Sequence, residues 1–272
     1  MTYKLIAADM DGTALTSDKR LTPRTVAAME KAIEQGKTVV FSTGRSISLI
    51  RPYVDMVGGM RYAITASGGT VLDVEQNEYI VHDTVDAETC KMIIAAANGR
   101  YVFPILFHDS ETYGSSWCVD DLTDFGFQAY EPIYRQCMHL VPDAMNWFME
   151  NPGALEKFNL FFGNDHEADE VYEEIKNLPI SFTTHSRTAL EINAVGTSKA
   201  KGLKALCDRL GITLSECIAV GDAENDEDMI ACAGLKVAMA NGSDKVKAMA
   251  DVIADTNDNE GVAKIIEQYL LD

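Results

Sequence analysis

The sequence lacks any hydrophobic run long enough to cross a bilayer. Its apolar stretches, such as residues 92–97 and 38–41, are far shorter than the roughly 20 residues that a spanning helix needs. The N-terminal residues MTYKLIAADMDG become acidic where a secretory signal peptide would still need an apolar stretch and a small-residue cleavage site. We therefore expect no membrane partner and a cytoplasmic location.

Paired cysteines are also absent. The six cysteines, at positions 90, 118, 137, 207, 217 and 232, contain no CxxC spacing. This absence argues against a zinc knuckle and against a redox dithiol. We interpret the six as small buried side chains in a reducing compartment.

Basic residues are scarce relative to acidic ones. The 23 lysines and arginines face 42 aspartates and glutamates, and the net charge is −19. A field of that sign repels nucleic acid and anionic membrane surfaces, so neither is an expected partner. It would also repel a phosphorylated small molecule, unless a metal ion, a lysine or helix N-termini reverse the sign locally.

The chain of 272 residues is 47% hydrophobic and 24% charged, which is typical of a globular protein with room for two cores. Apolar runs alternate with segments of helical period in its first and last parts. This alternation predicts an α/β core, residues 1–83 and 188–272, with a doubly wound Rossmann-like parallel sheet and crossover helices. The sheet strands are predicted at 3–8, 38–42, 62–65, 189–193, 217–220, 235–239 and 252–254.

The middle of the chain lacks this alternation of short apolar runs with segments of helical period. From about Thr84 the segments become longer and mixed, and aromatic residues concentrate there. We predict an inserted α+β domain over residues 84–187. This segment holds 17 acidic and six basic residues, a net charge of −11, so it carries more than half of the total.

Polar residues lie just past the predicted strands, where ligands of open α/β sheets bind. Taken singly, each has an ordinary explanation, such as an acidic turn, a loop, a surface lysine or a helix N-cap. Their occurrence together in one order favours a shared site. The four clusters are Asp9 with Asp11, Ser42 with Thr43 and Gly44, Lys199, and Asp222 with Asn225 and Asp226.

The residue types suit phosphate and metal chemistry. Asp9 and Asp11 are two positions apart, so one carboxylate can face a bound metal while the other faces a leaving group. Asp222 adds an acid from another strand end, and oxygen ligands of this kind suit Mg²⁺. The hydroxyl of Thr43 and nearby backbone N–H groups can hold phosphate oxygens. The positive charge of Lys199 can hold Asp9 and the phosphate together.

The ordered set DMDGT, STGR, Lys199 and GDAEND resembles the haloacid dehalogenase superfamily, specifically its Cof-type (subfamily IIB) sugar phosphatases. The resemblance covers the whole chain. Segments 240–242, 250–251 and 257–263, together with Lys245, resemble the tail of that branch. In that family the insert is a mobile cap over the active site, which implies a C2B-type cap at residues 84–187.

The resemblance also implies roles. Asp9 would be the nucleophile, and Asp11 would protonate the leaving oxygen and later activate water. Mg²⁺ would be held by Asp9, the backbone of Asp11, and Asp222. Phosphate binding is implied for Met10, Thr43, Gly44, Lys199 and Asn225, with Asp226 orienting the others. The implied activity is hydrolysis of small phosphomonoesters, chiefly sugar phosphates, through an aspartyl phosphate, by a monomer or homodimer. Relatives often carry asparagine at the position of Ser67, which leaves a substrate-side contact open.

Other classes of protein share some of these sequence features. Receiver domains of signalling proteins combine a doubly wound sheet with a phosphorylated aspartate, but Asp11 favours rapid turnover, and a receiver has no place for a 104-residue insert. A phosphohexomutase would require a sugar bisphosphate activator. A non-catalytic binding protein is the third alternative, although none of the four clusters lacks a component.

Overall fold

A computed structural model describes residues 2–186 and 188–271 of the chain. Its strands are β1 (Leu5–Ala8), β2 (Thr38–Ser42), β3 (Tyr62–Thr65), β4 (Thr70–Asp73), β5 (Glu78–His82), β6 (Val102–His108), β7 (Glu111–Ser115), β8 (His139–Val141), β9 (Lys157–Phe162), β10 (Ile180–Ser186), β11 (Ala189–Ala194), β12 (Cys217–Gly221), β13 (Leu235–Met239) and β14 (Val252–Ala254). Its α-helices are α1 (Pro23–Glu34), α2 (Ile47–Met56), α3 (Ala87–Ala97), α4 (Ser116–Asp120), α5 (Glu131–Cys137), α6 (Ala144–Glu150), α7 (Asp165–Ile175), α8 (Lys199–Leu210), α9 (Glu227–Cys232), α10 (Asp244–Met249) and α11 (Gly261–Ile265).

The described chain divides into two compact units. One is drawn from residues 1–45, 50–81 and 198–272, and the other from residues 46–49 and 82–197. The predicted insert lies inside the second unit. Its predicted last residue, Arg187, lies outside the described residues.

The first unit contains an eight-stranded sheet with the order β14-β13-β12-β1-β2-β3-β4-β5. Its strands from β14 to β3 are parallel, whereas β4 pairs with β3 in antiparallel orientation. All four residues of β1 are buried, as expected for a parallel strand covered on both faces. The predicted doubly wound core is confirmed, with the addition of the edge strands β4 and β5, which the sequence did not predict.

Helix α8 supplies part of the core on one face of this sheet. It packs with α9 and α10 over alternate strand residues, in keeping with the two-residue period of a strand. Leu203 and Leu206 of α8 are fully buried, and Leu5 and Ala7 of β1 lie in the same cluster. The side chains that begin α8 are therefore fixed to the end of the sheet by its apolar face.

The second unit contains a six-stranded sheet with the order β10-β11-β9-β6-β7-β8, antiparallel except between β7 and β8. Helices α3 and α7 contribute to its core together with alternate residues of β9 and β11. This is an α+β layer, as predicted.

One predicted strand belongs to the other sheet. The sequence 189–193 was assigned to the parallel core, but β11 pairs with β9 and β10 in the second unit. That assignment is wrong because the alternation of buried Leu190 and Ile192 identifies a strand without identifying its neighbours. The first sheet resumes only with α8 and β12.

The described helices include none long and apolar enough to cross a membrane. All six cysteines lie in the described part of the chain and carry free thiols.

Candidate active site

The register of the parallel strands brings three predicted site segments to one edge of the first sheet. Ala8 at the end of β1 lies opposite Phe41 on β2 and Val220 on β12. The N–H of Asp9 donates to the carbonyl of Val220 at 3.0 Å. Asp222 directly follows β12. Asp9 and Asp222 therefore follow the carboxyl ends of two adjacent strands and lie at the same edge of the sheet.

Lys199 joins this edge from the first position of α8. Its Nζ lies 2.6 Å from Oδ1 of Asp9 and 2.6 Å from Oδ1 of Asp226, and its side chain is 1% exposed. Ser198 caps the helix. A Cβ on Gly68 would lie only 2.0 Å from the carbonyl oxygen of Ser198, so this glycine lets α8 begin close to the sheet.

Asp226 organises the loop after β12. Its Oδ2 accepts the N–H groups of Asp222 at 2.9 Å and Ala223 at 3.1 Å, and the residue is fully buried. Thr13 donates its hydroxyl to Oδ1 of Asp222 at 2.7 Å. Oδ1 of Asp226 accepts from Lys199, so both oxygens of this carboxylate are hydrogen-bonded. This is the geometry that its predicted orienting role requires.

Three carboxylates share this site with one lysine. Ligand oxygens of Asp9, Asp222 and Asp226 lie within 4.8 Å of one another. Burial raises the pKa of Asp9 to about 8, with Lys199 opposing the rise and the other two carboxylates adding to it. Burial also raises the pKa of Asp222 to about 6. For Lys199, burial alone would lower the pKa, but Asp226 and Asp9 outweigh it and raise the pKa above its usual range.

This donor set fits Mg²⁺. Lys199 binds one oxygen of Asp9 and Thr13 binds one oxygen of Asp222, while the other oxygen of each accepts no hydrogen bond from the described residues. Carboxylate oxygens without other hydrogen bonds are typical magnesium ligands. Burial is the main cause of the raised pKa values and the neighbouring carboxylates add to it, and a bound divalent cation would favour the ionised form of both groups.

The carboxylate of Asp11 is held by a different group of residues. Arg45 donates through Nε to Oδ2 at 2.8 Å and through Nη2 to Oδ1 at 2.7 Å, and Lys19 Nζ lies 2.8 Å from Oδ1. Burial alone would raise the pKa of Asp11, but Arg45 and Lys19 lower it well below its usual range. Asp9 and Asp11 therefore occupy opposite electrostatic environments although they are two residues apart.

The remaining predicted phosphate contacts lie around this edge. Thr43 is buried just past β2, and its hydroxyl accepts the N–H of Arg45 at 3.3 Å across the turn that contains Gly44. Met10 is fully buried, and its carbonyl oxygen accepts backbone N–H groups from the following turn. Oδ1 of Asn225 is buried without a hydrogen-bond partner among the described residues. Their contacts with phosphate stay predictions.

The sequence did not identify three polar residues of this site. Thr13 and Arg45 lie inside the motifs DMDGT and STGR, so their positions carried a signal that was not assigned a role. Lys19 carried no such sequence signal, because its approach to Asp11 depends on how the loop after β1 folds back.

That loop is braced by the C-terminal part of the chain. Asn241 Nδ2 donates to the carbonyl of Gly12 at 2.7 Å, and Asn257 Nδ2 donates to the carbonyl of Leu15 at 2.9 Å. The N–H of Asn257 donates to Oδ1 of Asn241 at 3.0 Å, which links the two braces. These asparagines belong to the tail segments that resemble the family, and their contacts give them a structural role.

Gly12 is expected to tolerate no side chain. Its φ is +81°, and a Cβ would lie 2.4 Å from Oδ2 of Asp222. Gly36 is a matched control, with φ +78° and no atom within 4 Å of an added Cβ. Both Gly→Ala variants should lose about 1–2 kcal/mol of stability, but only Gly12→Ala should lose activity, by at least about tenfold. Equal turnover by the two variants in a phosphate-release assay would contradict this geometry.

Ser67 has a left-handed backbone, with φ 58° and ψ 27°. Asparagine adopts this conformation more readily than other non-glycine residues, so the backbone by itself gives a reason to expect asparagine at this position. We expect Ser67→Asn to keep the stability within about 0.5 kcal/mol and Ser67→Val to lower it by about 1–3 kcal/mol. Urea unfolding of both variants measures this difference, and a valine variant as stable as the asparagine variant would refute the explanation.

An open α/β sheet with a carboxylate cluster at its strand ends and an inserted α+β unit defines a class of hydrolases, and comparison with known proteins agrees. Residues 6–266 match the family described as haloacid dehalogenase-like hydrolase. The chain belongs to this family, as the sequence motifs predicted.

Individual relatives align over nearly the full length. The 5-amino-6-(5-phospho-D-ribitylamino)uracil phosphatase YcsE of Bacillus subtilis is 32% identical over 98% of this chain and 96% of its own. A haloacid dehalogenase-like hydrolase structure from Bacteroides thetaiotaomicron has a TM-score of 0.85 at 26% identity and covers 98% of this chain and 99% of its own. The structure of a subclass IIB sugar phosphatase, with a TM-score of 0.81 at 21% identity over 99% and 100% of the two chains, has the same fold.

Proposed function

We propose that the protein is a magnesium-dependent phosphatase that hydrolyses small phosphomonoesters, chiefly sugar phosphates, through a phosphorylated Asp9. One observation carries the proposal. The Asp9 carboxylate is bound by Lys199 on one oxygen, whereas Asp11, two residues away, is held apart from the carboxylate cluster by Arg45 and Lys19. These separate sets of partners support separate roles for the two carboxylates, one as nucleophile and one as proton carrier.

In the first step, the open oxygen of Asp9 attacks phosphorus. The bond between phosphorus and the ester oxygen breaks, and Asp11 gives that oxygen a proton, because an alkoxide leaves poorly without one. Arg45 and Lys19 favour the ionised form of Asp11, so Asp11 must first take up this proton from solvent. Lys199 keeps its charge next to Asp9 and to the oxygens of the transferring group. The products of this step are an alcohol and an acyl phosphate on Asp9.

In the second step, water attacks phosphorus of the acyl phosphate. Asp11 now takes the proton of the attacking water, the bond between phosphorus and the Asp9 oxygen breaks, and inorganic phosphate leaves. Asp226 keeps Lys199 and the Asp222 loop in place throughout, because its two oxygens are bound to both.

Mg²⁺ held by Asp9, the backbone of Asp11, and Asp222 would neutralise the charge on the phosphoryl oxygens when bound. Removing divalent ions with EDTA is expected to lower kcat more than about 100-fold, and excess Mg²⁺ should restore it. The measurement is phosphate release before and after the addition of Mg²⁺. Full activity in metal-free buffer would exclude the magnesium part of the proposal.

The substrate class is argued from charge and from a relative. Residues 84–187 carry a net charge of −11, which disfavours polyanions. The relative YcsE is named for a substrate that carries a single phosphate on a ribityl chain. We infer that this chain also takes monophosphates with a neutral body and that residues 84–187 act as its C2B-type cap. We also infer a cytoplasmic location, which the six free thiols support.

A panel of phosphate esters tests this inference. Sugar and polyol monophosphates are expected to have the highest kcat/KM, with nucleotides and bisphosphates lower. Preferential turnover of nucleotides or bisphosphates would contradict it.

A further inference from the structure

The loop after β1 carries a lysine, Lys19, that contacts the carboxylate of Asp11. Lys19 has a left-handed backbone, with φ 59°, and its N–H donates to the carbonyl of Thr16 at 2.8 Å. This turn directs the side chain back to Asp11, where Nζ lies 2.8 Å from Oδ1, and leaves it 18% exposed. Lys19 is therefore placed by the backbone of the loop and is not a freely moving surface side chain.

Tyr53 ties Lys19 to Arg45. The hydroxyl of Tyr53 donates to the carbonyl oxygen of Lys19 at 2.9 Å, and the guanidinium carbon of Arg45 lies 5.6 Å from the centre of the Tyr53 ring. One buried aromatic residue of α2 thus contacts the backbone of Lys19 and the guanidinium of Arg45, the two residues that hold Asp11.

The two cations act on the carboxylate in different ways. The planar fork of Arg45 contacts both oxygens of Asp11 and sets the plane of the group. Lys19 adds a point charge on Oδ1, the oxygen that Arg45 also contacts through Nη2. The Asp11 side chain is held in orientation by these contacts and is 29% exposed, so part of it reaches solvent.

We propose that Lys19 is a positioning residue for the proton transfer by Asp11, with Tyr53 holding Lys19 in place. The inference rests on the proposed phosphatase function. General acid catalysis requires the donor within hydrogen-bond reach of the leaving oxygen, and its contribution is about 10²–10⁴-fold. Removing Lys19 would also ease protonation of Asp11, because Lys19 favours the ionised form. The inference is that the loss of orientation outweighs this gain, so that a loosened Asp11 loses part of that factor.

Leaving groups of different basicity separate this role from a structural one. Phenolate has a conjugate acid with a pKa near that of tyrosine, about 10, and needs a proton to leave, whereas p-nitrophenolate leaves as the anion. Lys19→Met is expected to lower kcat/KM for phenyl phosphate at least about tenfold, and for p-nitrophenyl phosphate less than about threefold. Tyr53→Phe should show the same selectivity with a smaller effect.

Two further variants complete the test. In an Asp11→Asn background, Lys19→Met should cause no additional loss on phenyl phosphate. Lys204→Met removes an exposed lysine paired with Asp208 and should change neither rate. Equal losses on both esters, or no loss with Lys19→Met, would overturn the positioning role. If the unaltered protein with Mg²⁺ hydrolysed neither ester, the phosphatase proposal itself would fail.

Discussion

Asp9→Asn is expected to lower kcat at least about 10³-fold while leaving the protein folded. An amide cannot attack phosphorus to form an acyl phosphate, although it has the size and shape of the carboxylate. The substitution also removes one of three clustered carboxylates. Burial of the Asp9 side chain raises the pKa of that carboxylate to about 8. Phosphate release and urea unfolding, measured side by side, separate lost chemistry from lost structure.

The fate of the phosphate gives the second readout. Acid quenching during turnover should trap phosphate on the peptide that contains Asp9 in the unaltered protein and none in Asp9→Asn. A phosphorylated protein that persists long after the substrate is removed would favour the receiver alternative. An Asp9→Asn variant with near-normal turnover would refute the proposed nucleophile.

Lys199→Met should destabilise the metal-free protein by about 3–5 kcal/mol, because it leaves buried carboxylates without their cation. Lys199 is 1% exposed and lies 2.6 Å from both Asp9 and Asp226. The double variant Lys199→Met/Asp226→Asn should recover part of this loss, since the asparagine oxygen can still accept the N–H groups of the Asp222 loop.

Urea unfolding without Mg²⁺ measures both variants, with Lys204→Met as the exposed control. A loss below about 1 kcal/mol for Lys199→Met, or a double variant less stable than the single one, would contradict the role of Lys199 as the central cation. Both Lys199 variants are also expected to be inactive, because the phosphoryl oxygens lose their fixed positive charge.

The strand ends were predictable because parallel strands align their carboxyl ends. Once β1, β2 and β12 were assigned to one sheet, Asp9, Thr43 and Asp222 had to lie at the same edge. The bounds of β2 and β3 were predicted to the residue, since turns and glycines delimit these short apolar runs.

The parts of the fold and of the site that were not predicted depend on contacts that hydrophobic periodicity does not encode. Strand β4, only four residues long, reverses direction after the left-handed Ser67, and nothing in TVLD distinguishes an antiparallel edge from a parallel one. The pairing of Asp11 with Arg45 and Lys19 required the path of two loops. Charge type and spacing located the acids but did not show which cation each acid would meet.

The position of β1 at the centre of the sheet has a consequence for synthesis. This strand is made before the other strands of its sheet, yet its neighbour β12 lies more than 200 residues later, as do the asparagines that brace the loop after Asp9. Closing so long a loop is entropically costly and slow. A nascent chain that ends before β12 exposes an unpaired strand edge and carries an incomplete site. The site is therefore completed only after β12 and the two bracing asparagines have been made.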